Sequence, residues 1–341
     1  MGRNIRKLSL LFAFVAIVAG MYSLCNRVGG YVTPKENSVE VVKKVDEVPT
    51  TTPTTVLNTV PTTKTKVNKT NKETVPTTSS GKNYPVIEKQ FGEDGITYDN
   101  FCVKNYTDFS LDIATELKRG LPFKIEKNHQ VQVLIFHTHT CESYLKSDTG
   151  YYPSDYYPRT TNNKENVTAV GDEIEKQLKK AGIGVIHDKT KHDYPSYNGG
   201  YDRSYQTIQK YMEKYKGIKV VLDIHRDAIG DDISGKVKPT FKYKGKKASQ
   251  IMIMTGYQYE GGGDFPFWRD NLDFAIKLQQ TAETMYPGLT RPLNFGEYTY
   301  NLNVCNGSLL IEFGTDVNTI DEVKRSGKMV GKALAKVLQN N

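Results

Sequence analysis

The chain has 341 residues, a net charge of +8, 38% hydrophobic residues and four cysteines. That length suits one or two folded domains, and a content of 25% charged and 11% aromatic residues excludes wholesale disorder. Four cysteines exclude a disulfide-stapled mini-scaffold, one apolar run of membrane length excludes a polytopic membrane protein, and the basic balance points to an anionic partner: nucleic acid, anionic lipid or cell-wall polymer.

Arg3, Arg6 and Lys7 precede an uncharged apolar run over residues 8–25. Such a run, with basic residues before it, predicts a membrane anchor with a cytoplasmic N-terminus and everything after it outside. A cleaved signal peptide shares this layout, but the run is long for one and no small-x-small site follows. Leu24 is too large for the position before a lipidated Cys25. Residues 33–83 hold no aromatic and no cysteine and are rich in Thr, Pro, Lys and Val. They cannot bury enough apolar area to offset their ordering entropy, and read as a disordered spacer stiffened by proline. The expected organisation is therefore an anchor (1–30), a Thr/Pro/Lys-rich linker (31–84) and an extracellular domain (85–341).

Within that domain apolar runs alternate with helical periods. Residues 131–137 (VQVLIFH) read as a buried strand. Val167, Val170, Ile174 and Leu178 share one helical face, and Gly182 is a stop signal. Residues 184–187 read as a strand, and Tyr205, Ile208 and Met212 as a second helix. Residues 218–224 (IKVVLDI) and 251–255 are further strands, 272–285 a helix ending before Pro287, and 309–313 a last strand. Ile320, Val323, Val330, Leu334 and Val337 suit a terminal helix. The expected fold class is α/β, with a mostly parallel, twisted sheet flanked by helices and sites at the carboxyl ends of its strands. Residues 84–128 carry no clear assignment.

The chemistry-bearing residues follow three of those strands. After the first comes His137-Thr138-His139-Thr140-Cys141-Glu142, after the third His225-Arg226-Asp227, and Glu312 sits inside the last. A carboxylate near the end of a buried strand needs a cation, a metal or a proton. Two imidazoles, one carboxylate and an open fourth position make a catalytic zinc site. His139 and Glu142, three apart in a loop, can reach one ion, and His225 can join them from a neighbouring strand. His137 either supports the site or trades roles with His139. Arg226 is either an oxyanion or carboxylate clamp or a structural ion pair, and Asp227 a candidate to orient an imidazole.

Residues 133–145 (VLIFHTHTCESYL), 221–228 (VLDIHRDA) and 306–319 (NGSLLIEFGTDVNT) together resemble the stage II sporulation protein P family, the N-acetylmuramoyl-L-alanine amidases of spore-forming Firmicutes. The resemblance implies a zinc amidase fold with more distant likeness to zinc carboxypeptidases. It implies His139 and His225 as metal ligands and Glu312 as the catalytic glutamate. The carboxypeptidase-like pattern makes Glu142 the carboxylate ligand, and the classical amidase pattern places it near Glu165. The family also implies Zn2+ as cofactor and peptidoglycan as substrate, cut at the muramoyl–L-Ala amide and also at the peptide crosslink. A lytic transglycosylase and a membrane scaffold protein of engulfment are the implied partners. In the mechanism expected, zinc lowers the pKa of a bound water toward ~7 and Glu312 relays its proton to the leaving amine.

Rival readings are a cysteine hydrolase using Cys141 with His137 or His139, and a wall-binding scaffold without catalysis. Dispersed basic residues and an exported domain speak against nucleic acid. Tyr151, Tyr152, Tyr156, Tyr157 and the stretch 261–268 (GGGDFPFW) either line a substrate groove or pack on the core, and Gly261 to Gly263 is a candidate lid hinge. Cys141 and Cys305 are either disulfide-bonded or, like Cys102, free.

Overall fold

The computed structural model describes residues 81–261 and 263–339. The predicted anchor and nearly all of the predicted linker lie outside the described residues, as does Gly262 of the candidate hinge. Among the described residues no helix is long and apolar enough to cross a membrane. In chain order the elements are β1 (Asn83–Lys89), β2 (Ile96–Tyr98), β3 (Phe101–Asn105), α1 (Ile113–Arg119), β4 (Val131–Phe136), β5 (Tyr151–Pro153), α2 (Thr168–Lys180), β6 (Gly184–His187) and α3 (Gly200–Lys214). There follow β7 (Val220–Asp227), β8 (Gly230–Asp231), β9 (Gly235–Tyr243), β10 (Lys246–Ser249), β11 (Ile251–Gly256), α4 (Trp268–Met285), β12 (Leu293–Gly296), a 3-10 turn (Leu302–Val304), β13 (Ser308–Thr315) and α5 (Ile320–Gln339).

Eight strands share one sheet in the order β2-β3-β12-β11-β13-β7-β4-β6. The pairings β3–β12, β12–β11, β13–β7, β7–β4 and β4–β6 are parallel; β2–β3 and β11–β13 are antiparallel. The sheet is therefore mostly parallel, as the alternating pattern predicts, with β11 reversed beside β13. Side chains alternate between two covered faces, which is why β4 and β7 are apolar almost without interruption. Val133, Ile135, Leu222, Ile224 and Ile311 pack with Val170 and Ile174 of α2 and Val330 and Leu334 of α5. Leu134, Phe136 and Val221 pack on the other face with Ile208 of α3. Helices α2 and α5 approach closely at Gly331, where a Cβ would lie 3.0 Å from the Ile174 Cα.

A second sheet, β10-β9-β1-β5 with β8 on β9, is absent from the expected fold. Its strands join residues 83–89 to 151–153 and 235–249. The segment left unassigned in sequence supplies β1, the β2–β3 hairpin and α1. Helix α1, capped by Asp112 on the Ala114 amide, is fastened to α4 by Arg119 to Asp273 (2.7 Å) and Arg269 to Glu116 (2.9 and 3.0 Å).

Candidate active site

Strands β4, β7 and β13 are consecutive in the sheet and parallel. Their carboxyl ends therefore open at one edge, and the sequence-predicted residues meet there. Strand β7 runs further than the apolar pattern indicates, so His225 is inside the strand rather than after it. It stands directly opposite Glu312 in the β7–β13 ladder. Alternate residues share a face, so Asp223 and His225 are neighbours, with His225 Nε2 2.8 Å from Asp223 Oδ1 but out of line for a hydrogen bond. Asp223, fully buried, also accepts the Thr138 amide (2.9 Å) and the Thr138 hydroxyl (2.7 Å). It thus ties the loop after β4 to β7.

That loop turns tightly, with the Glu142 amide donating to the His139 carbonyl (3.1 Å). The turn brings Glu142 Oε2 to 3.7 Å from His225 Nδ1, where it also accepts the Arg226 amide (3.2 Å). The rings of His139 and His225 lie edge to face with centroids 5.3 Å apart. His139 Nδ1, His225 Nε2 and Glu312 Oε2 are buried without a hydrogen-bond partner. Three such atoms on adjacent elements are unusual, because buried polar groups are ordinarily satisfied. Two imidazoles and a carboxylate are also the donor set of a catalytic zinc site. His139, Glu142 and His225 therefore supply the donor types for a divalent cation, but among the described residues the ligand atoms that all lie within 4.8 Å of one another belong to Asp172, Glu175 and His187.

The electrostatics separate the groups. Burial and the neighbouring His225 push the His139 pKa down to about 4. Burial also opposes a charge on His225, but the Asp223, Glu142 and Glu312 carboxylates override it and raise its pKa to about 10. Burial raises the Glu142 carboxyl, against the pull of His225 and Arg226. For Glu312 burial dominates and lifts the pKa to about 8, with His225 opposing and Asp227 adding to the rise. Such displaced values gather at functional sites.

Four other predicted residues are placed elsewhere. Glu165 pairs with the exposed Lys146 (3.2 Å), so Glu142 is the carboxylate set against His225. The Arg226 guanidinium donates to the carbonyls of Ser143 (3.0 Å), Pro158 (2.8 Å) and Asp227 (3.3 Å), all backbone atoms. Asp227 pairs with Arg291 (2.7 Å) and meets no imidazole; the carboxylate beside His225 is Asp223. His137 bonds the Ile224 carbonyl through Nδ1 (2.9 Å) and His187 Nε2 through its own Nε2 (2.8 Å). With both ring nitrogens engaged, it offers no donor atom to His139 or Glu142. His187 in turn meets Asp172 (3.1 Å) and Glu175 (3.5 Å), whose donor atoms cluster with its own but also pair with Lys189 and Lys179. Gly171 makes room for this pair, since a Cβ there would lie 2.5 Å from His187 Nε2.

The predicted aromatics also divide. Trp268 packs against Phe109, Tyr257 and Phe295, and Phe265 is buried, so these two aromatics pack on the core, while Gly261, Gly263, Asp264 and Pro266 are exposed. The aromatics beside the site are Tyr197, stacked on His139 at 4.3 Å, and Tyr201, edge-on at 5.5 Å. Cys102, Cys141 and Cys305 are free and buried, so Cys141 and Cys305 form no disulfide. Burial and the Asp193 carboxylate push the Cys141 thiol up to about 12, opposite to what a thiolate nucleophile needs. Cys141→Ser is accordingly expected to hydrolyse substrate at the parent rate; a variant without activity would restore the cysteine reading.

The family model described as stage II sporulation protein P matches residues 22–337. The chain belongs to the stage II sporulation protein P family. It is 30% identical over 209 residues to the stage II sporulation protein P of Bacillus subtilis (strain 168); the match takes in 57% of this chain and spans 48%, about half, of that relative. Among solved structures it is similar to the N-acetylmuramoyl-L-alanine amidase AmiC2 of Nostoc punctiforme, with 12% identity, a TM-score of 0.37 and coverage of 63% of this chain and 97% of that one. It is also similar to the CwlD amidase of Clostridioides difficile, solved in complex with the GerS lipoprotein, with 10% identity, a TM-score of 0.39 and coverage of 62% and 100%.

Proposed function

We propose that this chain is a zinc-dependent peptidoglycan hydrolase that cuts the N-acetylmuramoyl-L-alanine amide, and the peptide crosslink as a second bond, during sporulation and engulfment. One observation carries the reading: His139, Glu142 and His225 converge at one sheet edge with Glu312 in register beside His225, and three of their polar atoms are buried without partners. A zinc ion held by His139, Glu142 and His225 would supply Lewis acidity toward the scissile carbonyl and an acidified water. Glu312 Oε2 accepts the proton of the attacking water and returns it to the departing amine. Asp223, 2.8 Å from His225 Nε2 and bonded to the Thr138 amide and hydroxyl, positions His225 against the loop that carries His139 and Glu142. Arg226, through the carbonyls of Ser143 and Pro158, holds the loop that carries Glu142, a positioning role in place of oxyanion stabilisation.

The reading extends to the setting. Residues 1–30 anchor the chain in the cell membrane with the domain outside, a lytic transglycosylase and a membrane scaffold protein are its partners, and nucleic acid is not. The deciding experiment combines metal analysis of the purified chain with mass spectrometry of digested peptidoglycan. One zinc per chain, release of stem peptides, and loss of release with a chelator, restored by zinc, are the expected results. A metal-free chain that binds peptidoglycan but releases nothing would instead identify a wall-binding scaffold.

A further inference from the structure

Arg159 borders the site on the His139–Glu142 side with donors to spare. Its backbone pairs with that of Glu142 in an isolated antiparallel bridge, reinforced by the Thr160 amide on the Cys141 carbonyl (2.8 Å). Directly opposed residues of an antiparallel pair project to the same side, so the Arg159 and Glu142 side chains leave on one face. The Arg159 guanidinium lies 4.9 Å over the ring of Tyr197, whose stacking partner is His139. Tyr197 is 53% exposed and the Arg159 side chain 18%, so this cation is partly desolvated yet open beside accessible surface.

Its hydrogen-bonding is incomplete. Nη2 pairs with the fully buried Asp193 carboxylate, which also accepts the Cys141 amide (3.1 Å to each oxygen). Nε and Nη1 have no acceptor among the described residues. Arg226, by contrast, has all three nitrogens on carbonyls, and Arg203 places Nε and Nη2 on the carbonyls of His192, Ser196 and Asn198. Asp193 fixes the guanidinium in place, and the free N–H groups remain to meet a ligand. A planar fork of this kind is suited to a carboxylate.

We propose that Arg159 is a specificity-determining residue that binds a carboxylate of the stem peptide next to the scissile bond. The inference rests on the amidase reading for its choice of substrate: beyond the L-alanine whose amide is cut, a stem peptide continues with D-glutamate, which carries a free carboxylate. Tyr197 sets the spacing between that anchor and His139.

The test uses the full chain in detergent and two synthetic N-acetylmuramoyl-L-Ala-D-Glu substrates whose γ-carboxyl is blocked as the methylamide, one (the acid) with the α-carboxylate free and one (the amide) with it amidated as D-isoglutamine. The parent is expected to prefer the acid at least tenfold in kcat/KM, chiefly through KM. Arg159→Lys keeps a cation for Asp193 but loses the fork, and is expected to fold and to lose that preference through a rise in KM for the acid. Arg159→Gln is expected to lose it as well. A parent without preference, or variants in which kcat falls equally on both substrates, would overturn the proposal, the latter marking Arg159 as an oxyanion donor or a purely structural residue. Calorimetric binding of the dipeptides L-Ala-D-Glu and L-Ala-D-isoglutamine, both blocked as γ-methylamides, is independent of turnover. If the parent cleaves neither substrate, the amidase reading fails, while tighter binding of the acid dipeptide, lost in Arg159→Lys, still upholds the carboxylate site and equal binding removes it.

Discussion

Replacing Glu312 by Gln is expected to leave zinc stoichiometry intact and to lower amide hydrolysis by about 10²–10⁴-fold, the usual contribution of a positioned general base. The side chain is isosteric and Glu312 is not one of the three proposed metal-holding residues, so the loss isolates proton transfer. The same variant carries a second signature in the metal-free protein. Burial raises the Glu312 pKa from 4.5 to about 8, so the folded chain holds this proton more tightly than the unfolded chain does. The unfolded state ionises first as pH rises, and stability falls between pH 4.5 and about 8, then levels off. The glutamine side chain of Glu312→Gln cannot ionise. With a chelator present, the variant should therefore match the parent near pH 4.5 and exceed it progressively up to pH 8.5, by on the order of a few kcal/mol. Thermal melting across that range measures the gap. Parent-like hydrolysis by Glu312→Gln would remove the base assignment, and a constant gap would remove the buried-acid account of Glu312.

The parts of the site that were legible in sequence are those carried by buried strands. A polar residue at the end of an otherwise apolar β-branched run has few physical explanations, which is why His139, His225 and Glu312 stand out. Asp223 had the same signal: it is the one charge inside VVLDI and lies two residues before His225, so strand alternation alone places both on one face. The choice between Glu142 and Glu165 was not legible, because the bridges from Glu142 to Arg159 and from Ser143 to Asn166 set the loop, and neither has a spacing rule. The roles of Arg226 and Arg159 were hidden for a related reason. Which guanidinium is saturated depends on where loop carbonyls point, and those carbonyls carry no side-chain signature. The second sheet was invisible because its strands pair across long separations in chain and β1 (NYPVIEK), with a proline and mostly exposed side chains, lacks a buried-strand pattern.

Asp223 is where stability and the site depend most on each other. Asp223→Ala removes the acceptor for the Thr138 amide and hydroxyl and the carboxylate 2.8 Å from His225. It leaves a buried N–H and an imidazole whose charge was favoured, in a fully buried position. Breaking a buried pair by removing one partner costs about 3–5 kcal/mol, which for a domain of this size lowers Tm by roughly 10 °C. Asp223→Asn separates the two contributions. Its amide oxygen can still accept from Thr138, so part of the lost stability should return. Its charge is gone, so the His225 pKa, held up to about 10 chiefly against burial by Asp223, should fall, and NMR titration of the metal-free protein reads that directly. Zinc affinity should drop about 10–100-fold in both variants, as it does when the group orienting a ligand is removed. If Asp223→Ala melts within about 2 °C of the parent, well short of the shift such a loss produces, or if His225 titrates unchanged in Asp223→Asn, then Asp223 does not organise this edge of the sheet. His225 would then owe its position to the β7–β13 ladder alone.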